Sequence, residues 1–168
     1  ATLFCLFYVF FKNQKRYPLV RNTIVISTLL ALLCFISYPL MPPRLLPSSY
    51  DYLDTLAKYP TFWSFNSKAF AKISNQFAAM PSVHIIWSSW CVFALWPNMK
   101  THWKRYLLIL YPLTTLFVII VSSNHYFLDA LGALVVLSLG YLASRMITSL
   151  TTRSAKVSTA SREDINAK

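Results

Sequence analysis

The chain has 168 residues, of which 56% are hydrophobic and 16% aromatic, while only 12% are charged and 2 are glycine. This composition excludes disordered and collagen-like chains, and it is too apolar for an ordinary soluble domain. The 16 Lys and Arg residues outnumber the 5 Asp and Glu residues and give a net charge of +11. Because the basic residues cluster between long apolar runs, they indicate the cytoplasmic loops of a membrane protein and exclude nucleic-acid binding.

The first apolar run, residues 1–11, is too short to cross about 30 Å of hydrocarbon at about 1.5 Å per residue. We interpret it as the end of a truncated span whose earlier part precedes the chain. The uncharged run from Thr23 to Met41 is long enough and predicts the first complete transmembrane helix. Pro42 and Pro43 end this helix, because proline lacks a backbone donor and disfavours helix in the residue before it.

A polar stretch continues to about Ala78. Between Thr61 and Phe77 it mixes Phe and Trp with Lys and Asn, which is typical of a short helix lying in the headgroup layer. A loop is the alternative interpretation of the same residues.

Three further complete spans are predicted at about Met80–Trp96, Tyr106–Ser122 and Phe127–Leu150. The predicted fold is an all-α polytopic transmembrane helix bundle, with four complete spans and one truncated span within residues 1–150. Residues 151–168 are rich in Ser, Thr and basic residues and predict a disordered cytoplasmic tail.

The distribution of Lys and Arg predicts the orientation. Four lie in residues 12–22, three in 98–105, and several more follow from Arg145 onward, so these segments are expected in the cytoplasm. The turn 123–126 has none, and the loop 42–78 has four spread over its length. These two connections therefore face the extracytoplasmic or lumenal side together.

This topology brings four ionisable residues to one side of the membrane: Arg44, His84, His125 and Asp129. Asp129 is the only acid within the complete spans, and such a residue is costly unless it is paired or functional. His125 and Asp129 are four residues apart, so on a helix they share a face and the carboxylate can orient the imidazole.

Pro81 and Ser82 precede His84 and are typical of a helix start, where free backbone donors bind phosphate. Arg44 can add a bidentate guanidinium. Two histidines, an arginine and a helix N-terminus fit phosphoryl transfer through a phosphohistidine, with the second histidine protonating the leaving oxygen. This chemistry requires no metal and no cofactor.

Other interpretations of these residues stay open. Each histidine alone can be an interfacial residue that bonds to headgroups, and Arg44 alone can snorkel to phosphate. His84, His125 and Asp129 can also form a two-histidine, one-carboxylate metal site. The chain as a whole can be a catalytically silent membrane protein, such as a scaffold or part of a transporter.

Three segments carry a family resemblance: Pro42-Pro-Arg-Leu-Leu-Pro47, Ala79-Met-Pro-Ser-Val-His84 and Asn124-His-Tyr-Phe-Leu-Asp129. With these motifs, roughly residues 1–150 resemble the type 2 phosphatidic acid phosphatase superfamily, and more narrowly its inositol phosphorylceramide synthase-like branch. The resemblance implies a membrane enzyme that acts on lipid phosphate esters.

By motif position, the resemblance makes His125 the nucleophile, Asp129 its orienting acid and His84 the general acid. It makes Arg44 and Ser82 ligands of the substrate phosphate. It also implies about six transmembrane helices, of which the chain matches the last four and part of the second.

The chain departs from the superfamily pattern at three places. Val83 takes the place of the glycine in the usual Pro-Ser-Gly-His motif. Ser37 stands where a lysine is usual, and Leu45 follows Arg44 where a proline is usual. Ile119 stands where an arginine is usual. These changes remove phosphate-binding cations, and the synthase-like branch shares both the His-Tyr pair and the missing last arginine.

Overall fold

A computed structural model describes residues 1–50, 52, 58 and 78–166. Within this part the chain forms five α-helices: α1 (Thr2–Lys12), α2 (Tyr17–Ser37), α3 (Val83–Leu95), α4 (His102–Val121) and α5 (Phe127–Asn166). Apart from an isolated parallel bridge between Leu40 and Ala78, the described residues contain no β structure. The prediction of an all-α fold is confirmed, while the helix predicted between Thr61 and Phe77 lies outside the described residues.

Three of the described helices are long and apolar enough to cross a membrane: Tyr17–Ser37, His102–Val121 and Phe127–Thr151. These helices identify the chain as an integral membrane protein. The first apolar run forms α1, an 11-residue helix that is shorter than a span, as predicted.

The helix predicted as a complete span at Met80–Trp96 is shorter than expected. It forms α3, whose 13 residues rise only about 20 Å at about 1.5 Å per residue. Pro81 precedes it and Pro97 follows it, and seven of its residues are buried against the other helices. Helix α3 contacts all four of the other described helices and so lies at the centre of the bundle.

The most extensive contact between described helices joins α2 to α5 and includes small residues. A Cβ added to Gly140 would clash with the Ser27 hydroxyl oxygen and lie 3.0 Å from the Ser27 backbone nitrogen. The Ser144 hydroxyl donates across the same contact to the Leu19 carbonyl at 2.9 Å. Close approach at Gly and Ser, with hydroxyls bonded across the interface, is the usual way in which transmembrane helices associate.

Arg16 and Trp90 hold the C-terminal half of α3 against the segment that begins α2. The Arg16 guanidinium donates to the Phe93 carbonyl at 2.8 Å and to the Ala94 carbonyl at 3.0 Å, both in the last turn of the helix. A cation there satisfies carbonyls that have no partner within the helix. The buried Trp90 indole donates to the Val20 carbonyl at 2.9 Å, which joins α3 to α2.

Helix α5 continues to Asn166 and therefore differs from the disordered tail expected from residue 151. No glycine or proline interrupts residues 141–166, so nothing in the local sequence breaks the helix that the transmembrane segment begins.

Candidate active site

Three chain segments meet at one end of the bundle: the turn after α2, the residues before α3 and the connection between α4 and α5. Backbone hydrogen bonds join them, from Arg44 N to Ser123 O (2.9 Å), from Ala79 N to Leu40 O (3.3 Å) and from Ser82 N to Asp129 O (3.1 Å). Because all five residues predicted for the site lie in or beside these segments, the same bonds bring the site together.

The connection between α4 and α5 is set by the way in which α4 ends. Ser123 has a φ of 54° and donates its N–H to the Ile120 carbonyl at 2.9 Å. The N–H groups of Asn124 and His125 both donate to the Ile119 carbonyl, at 3.0 and 3.2 Å. This is a Schellman motif with serine at the left-handed position that glycine usually occupies. The motif turns the chain sharply and places Asn124 and His125 at the end of the bundle.

His125 is buried, and its ring is oriented by two acceptors. Its Nδ1 atom lies 2.8 Å from the Ala79 carbonyl oxygen and 3.2 Å from the Asp129 carboxylate. A carbonyl oxygen can only accept, so Nδ1 carries the ring proton. The neutral tautomer then has its lone pair on Nε2.

Asp129 lies within hydrogen-bond distance of His125, as the spacing of the two residues predicts, but they do not share a helical face. Helix α5 begins at Phe127, so His125 precedes the helix and Asp129 lies in its first turn. The Asp129 carboxylate also accepts the Tyr126 N–H at 2.8 Å. A carboxylate in the first turn that reaches back to the residue before the helix forms half of a capping box. The predicted helical stacking is therefore wrong. His125 lies outside the helix, and the Asp129 carboxylate caps the N-terminus of the helix just after it.

His84 lies opposite His125 in the second position of α3. The two ring centroids are 5.5 Å apart and the ring planes meet at 69°. His84 is exposed whereas His125 is buried, so one histidine faces the surroundings and the other is fixed by the protein.

The N-terminus of α3 carries donors without helical partners. Its first backbone bond runs from Ile86 N to Ser82 O at 3.0 Å, so the three preceding N–H groups of the helix have no carbonyl within it. The Ser82 side chain makes no capping bond, and its fully buried hydroxyl has no partner among the described residues. Unpartnered donors at a helix N-terminus can bind an anion, and the field of the helix favours negative charge there.

Arg44 is half-buried and contacts Asn124, a residue for which the sequence alone predicted no role. Its Nη1 donates to the side-chain oxygen of Asn124, and the Asn124 amide nitrogen donates to the Ser122 hydroxyl at 2.7 Å. The position of Asn124 directly before His125 was the available signal. The Ala79 carbonyl had no such signal, because a backbone acceptor carries no side-chain signature.

Tyr126 borders the site between α4 and α5. Partial burial raises the pKa of the Tyr126 phenol, and the nearby Tyr52 and the Asp129 carboxylate raise it further. The phenol is therefore neutral at pH 7 and can donate a hydrogen bond.

The metal alternative gains no support from the described residues, since no group of three His, Cys, Asp or Glu side chains among them is arranged to hold an ion.

A comparison with protein families finds that a family model described as the PAP2 superfamily matches residues 1–143. No curated protein matches the chain, and no solved structure does. The match covers the three segments that meet at the site, together with the first four helices and the start of α5. The chain belongs to the PAP2 superfamily.

Proposed function

We propose that the chain transfers the phosphoryl group of a lipid phosphate ester through a phosphohistidine on His125. Membership of the PAP2 superfamily supports an enzyme with phosphoryl transfer of the lipid phosphatase type. The assignment of individual residues and of the substrate class is the proposal.

The observation that carries the proposal is the pair of acceptors at His125 Nδ1. The Ala79 carbonyl and the Asp129 carboxylate hold the proton on Nδ1, so that the lone pair is on Nε2. A histidine in the correct tautomer, with a fixed ring, is an activated nucleophile of the kind used in covalent catalysis.

In the first half of the reaction, the Nε2 lone pair attacks phosphorus as the bond from phosphorus to the lipid oxygen breaks. Protonated His84 donates its proton to the departing alkoxide and becomes neutral. In the second half, neutral His84 takes a proton from water or an alcohol, whose oxygen attacks phosphorus as the bond to Nε2 breaks. The donor and the acceptor of the proton are then the same group, as general acid–base catalysis requires.

The phosphate charge is held by the N-terminus of α3, the Ser82 hydroxyl and Arg44. The unpartnered Ser82 hydroxyl and the free N–H groups of the first turn supply donors, while Arg44 supplies a full positive charge. Preorganised donors of this kind stabilise the charge that builds up on the phosphoryl oxygens in the transition state.

Within the superfamily, we assign the chain to the inositol phosphorylceramide synthase-like branch, whose members are inositolphosphotransferases and pass an inositol phosphoryl group to an alcohol. The support is the sequence pattern, namely the His-Tyr pair at 125–126 and Ile119 in place of an arginine. The Ile119 side chain is buried in an apolar cluster with Ile86 and Ala133, where a guanidinium would have to leave water.

The low content of Lys and Arg in the segments of the site supports an extracytoplasmic or lumenal location. Cysteines introduced at the exposed positions Ser49 and Thr101 test it. An impermeant thiol reagent should label the first only from outside and the second only from inside, and labelling of both from one side would contradict this orientation.

The test of the function uses phosphatidic acid labelled with ³²P, supplied to the purified protein with and without an acceptor alcohol such as inositol. Release of inorganic phosphate identifies a phosphatase, and label in a new ester identifies a transferase. His125→Ala should abolish both, while His102→Ala, which removes an exposed histidine at the start of α4, should abolish neither. If the wild-type protein consumes no lipid phosphate, the chain is the catalytically silent membrane protein that the missing cations favour.

A further inference from the structure

A short hydrogen-bonded chain runs from the end of α4 to the arginine of the site. The Ser122 hydroxyl accepts from the Asn124 amide nitrogen at 2.7 Å, and the Asn124 oxygen accepts from Arg44 Nη1. The donor to Ser122 has to be the nitrogen and the acceptor from Arg44 has to be the oxygen, since a guanidinium cannot accept. Both ends of the amide are thus in use, which fixes its orientation.

The backbone of Asn124 is fixed as well. Its N–H donates to the Ile119 carbonyl at 3.0 Å within the motif that ends α4. On the other side, the Arg44 N–H donates to the Ser123 carbonyl at 2.9 Å. Arg44 is therefore joined to the α4–α5 connection at two points, through its own backbone and through its side chain.

Arg44 is the only Lys or Arg in residues 40–50, 78–84 and 122–129, the segments that surround the two histidines. Within these segments, the favourable charge interaction with a phosphate on His125 therefore depends on the orientation of this guanidinium. A guanidinium presents its N–H groups in a planar fork, and it binds phosphate well only when the N–H edge of the fork points at the oxygens. A side chain held in place also loses less entropy when the ligand binds.

We propose that Asn124 is a positioning residue that holds the Arg44 guanidinium in the orientation that binds the substrate phosphate. The inference rests on the proposed function, because it assigns a task to Arg44 in that reaction. Asn124 acts through Arg44 and does not itself contact the phosphoryl group.

A double-mutant cycle tests the proposal, with phosphatidic acid in mixed micelles as the substrate and the full chain as the enzyme. Asn124→Ala should lower kcat/KM by about tenfold to a hundredfold, the usual effect of losing a hydrogen bond to a charged group. Arg44→Ala should lower it at least as much. The double variant should be no worse than Arg44→Ala alone, because Asn124 has nothing to position once the guanidinium is absent.

The matched control is Asn22→Ala. Asn22 also accepts from an arginine, Arg21, at 2.9 and 3.1 Å, but this pair belongs to α2 and is not part of the site. Its removal should leave kcat/KM unchanged.

Asn124→Asp covers the case in which the alanine variant does not fold. It has nearly the same shape and keeps an oxygen for Arg44, but its negative charge opposes an anionic substrate. We expect a KM for phosphatidic acid raised about tenfold or more, with an unchanged thermal midpoint.

Three results overturn the inference alone: additive losses in the double variant, full activity of Asn124→Ala, or an unchanged KM for Asn124→Asp. An unchanged kcat/KM for Arg44→Ala would refute the phosphate-binding role of Arg44 and this inference with it. The proposed function fails separately, if His125→Ala remains active.

Discussion

The Nδ1 atom of His125 lies 2.8 Å from the carbonyl oxygen of Ala79, a residue of the segment that leads into the helix carrying His84. This contact is shorter than the 3.2 Å that separates Nδ1 from the Asp129 carboxylate. The tautomer of His125 is therefore held by two groups from different parts of the chain. The contact with Ala79 also links the position of His125, the proposed nucleophile, to that of α3, whose N-terminus is the proposed phosphate site.

The first prediction concerns Asp129→Asn. In a catalytic triad the equivalent change costs about 10⁴-fold in kcat, because the histidine adopts the wrong tautomer. Here the Ala79 carbonyl still fixes the proton on Nδ1, so we expect a smaller loss, of about 10²-fold, from weaker stabilisation of the charged histidine. Steady-state kcat on phosphatidic acid measures it. A loss as complete as that of His125→Ala would mean that the Ala79 carbonyl does not hold the tautomer.

The second prediction separates the two histidines by the leaving group. His84→Ala should lose about 10² to 10⁴-fold in kcat/KM on a lipid phosphate ester, where the alkoxide needs a proton. It should lose far less in kcat/KM on p-nitrophenyl phosphate, because kcat/KM reports formation of the phosphohistidine and this leaving group departs without protonation. His125→Ala should fail on both substrates. Equal losses of His84→Ala on the two substrates would assign His84 to phosphate binding or to structure.

The third prediction tests the turn that ends α4. Ser123 has a φ of 54°, where glycine is relaxed and a β-branched residue is strained. Ser123→Gly should therefore keep its activity with an equal or higher thermal midpoint. Ser123→Val should lower both the midpoint and kcat, since the turn places Asn124 and His125. Similar midpoints for the two variants would show that the left-handed turn is not needed.

The fourth prediction concerns the contact between α2 and α5. Gly140→Ala puts a methyl group 3.0 Å from the Ser27 backbone, which cannot move aside easily, and overpacking of this kind costs about 1–3 kcal/mol. Gly132→Ala is the matched control, because its methyl group meets the flexible end of Met80 at 2.9 Å. Thermal unfolding in detergent should show a larger decrease for Gly140→Ala. The reverse order would contradict the close packing at Ser27.

Much of the site is predictable from local sequence. Pro81 and Ser82 before His84 predict a helix start, and the spacing of His125 and Asp129 predicts a pair; the structure has both features. The spacing does not show whether His125 and Asp129 lie on one helix. A helix can also start between them, and the carboxylate of Asp129 then caps it.

Other features depend on contacts between segments far apart in the chain. The Ala79 carbonyl reaches His125 across 46 positions, and Asn124 reaches Arg44 across 80, and neither contact leaves a periodic pattern. Hydropathy identifies α3 as an apolar segment, but its place at the centre of the bundle follows from its contacts with all four of the other described helices.

The proposed function requires a covalent phosphohistidine on His125, and rapid acid-free quenching of the protein with ³²P-labelled phosphatidic acid traps it. We expect acid-labile, alkali-stable label on the peptide that contains His125. With a ³²P-labelled aryl phosphate, His84→Ala should hold more label than the wild-type protein, because it lacks the base for breakdown of the intermediate. Label on another residue, or turnover by His125→Ala at the wild-type rate, would contradict the proposed mechanism.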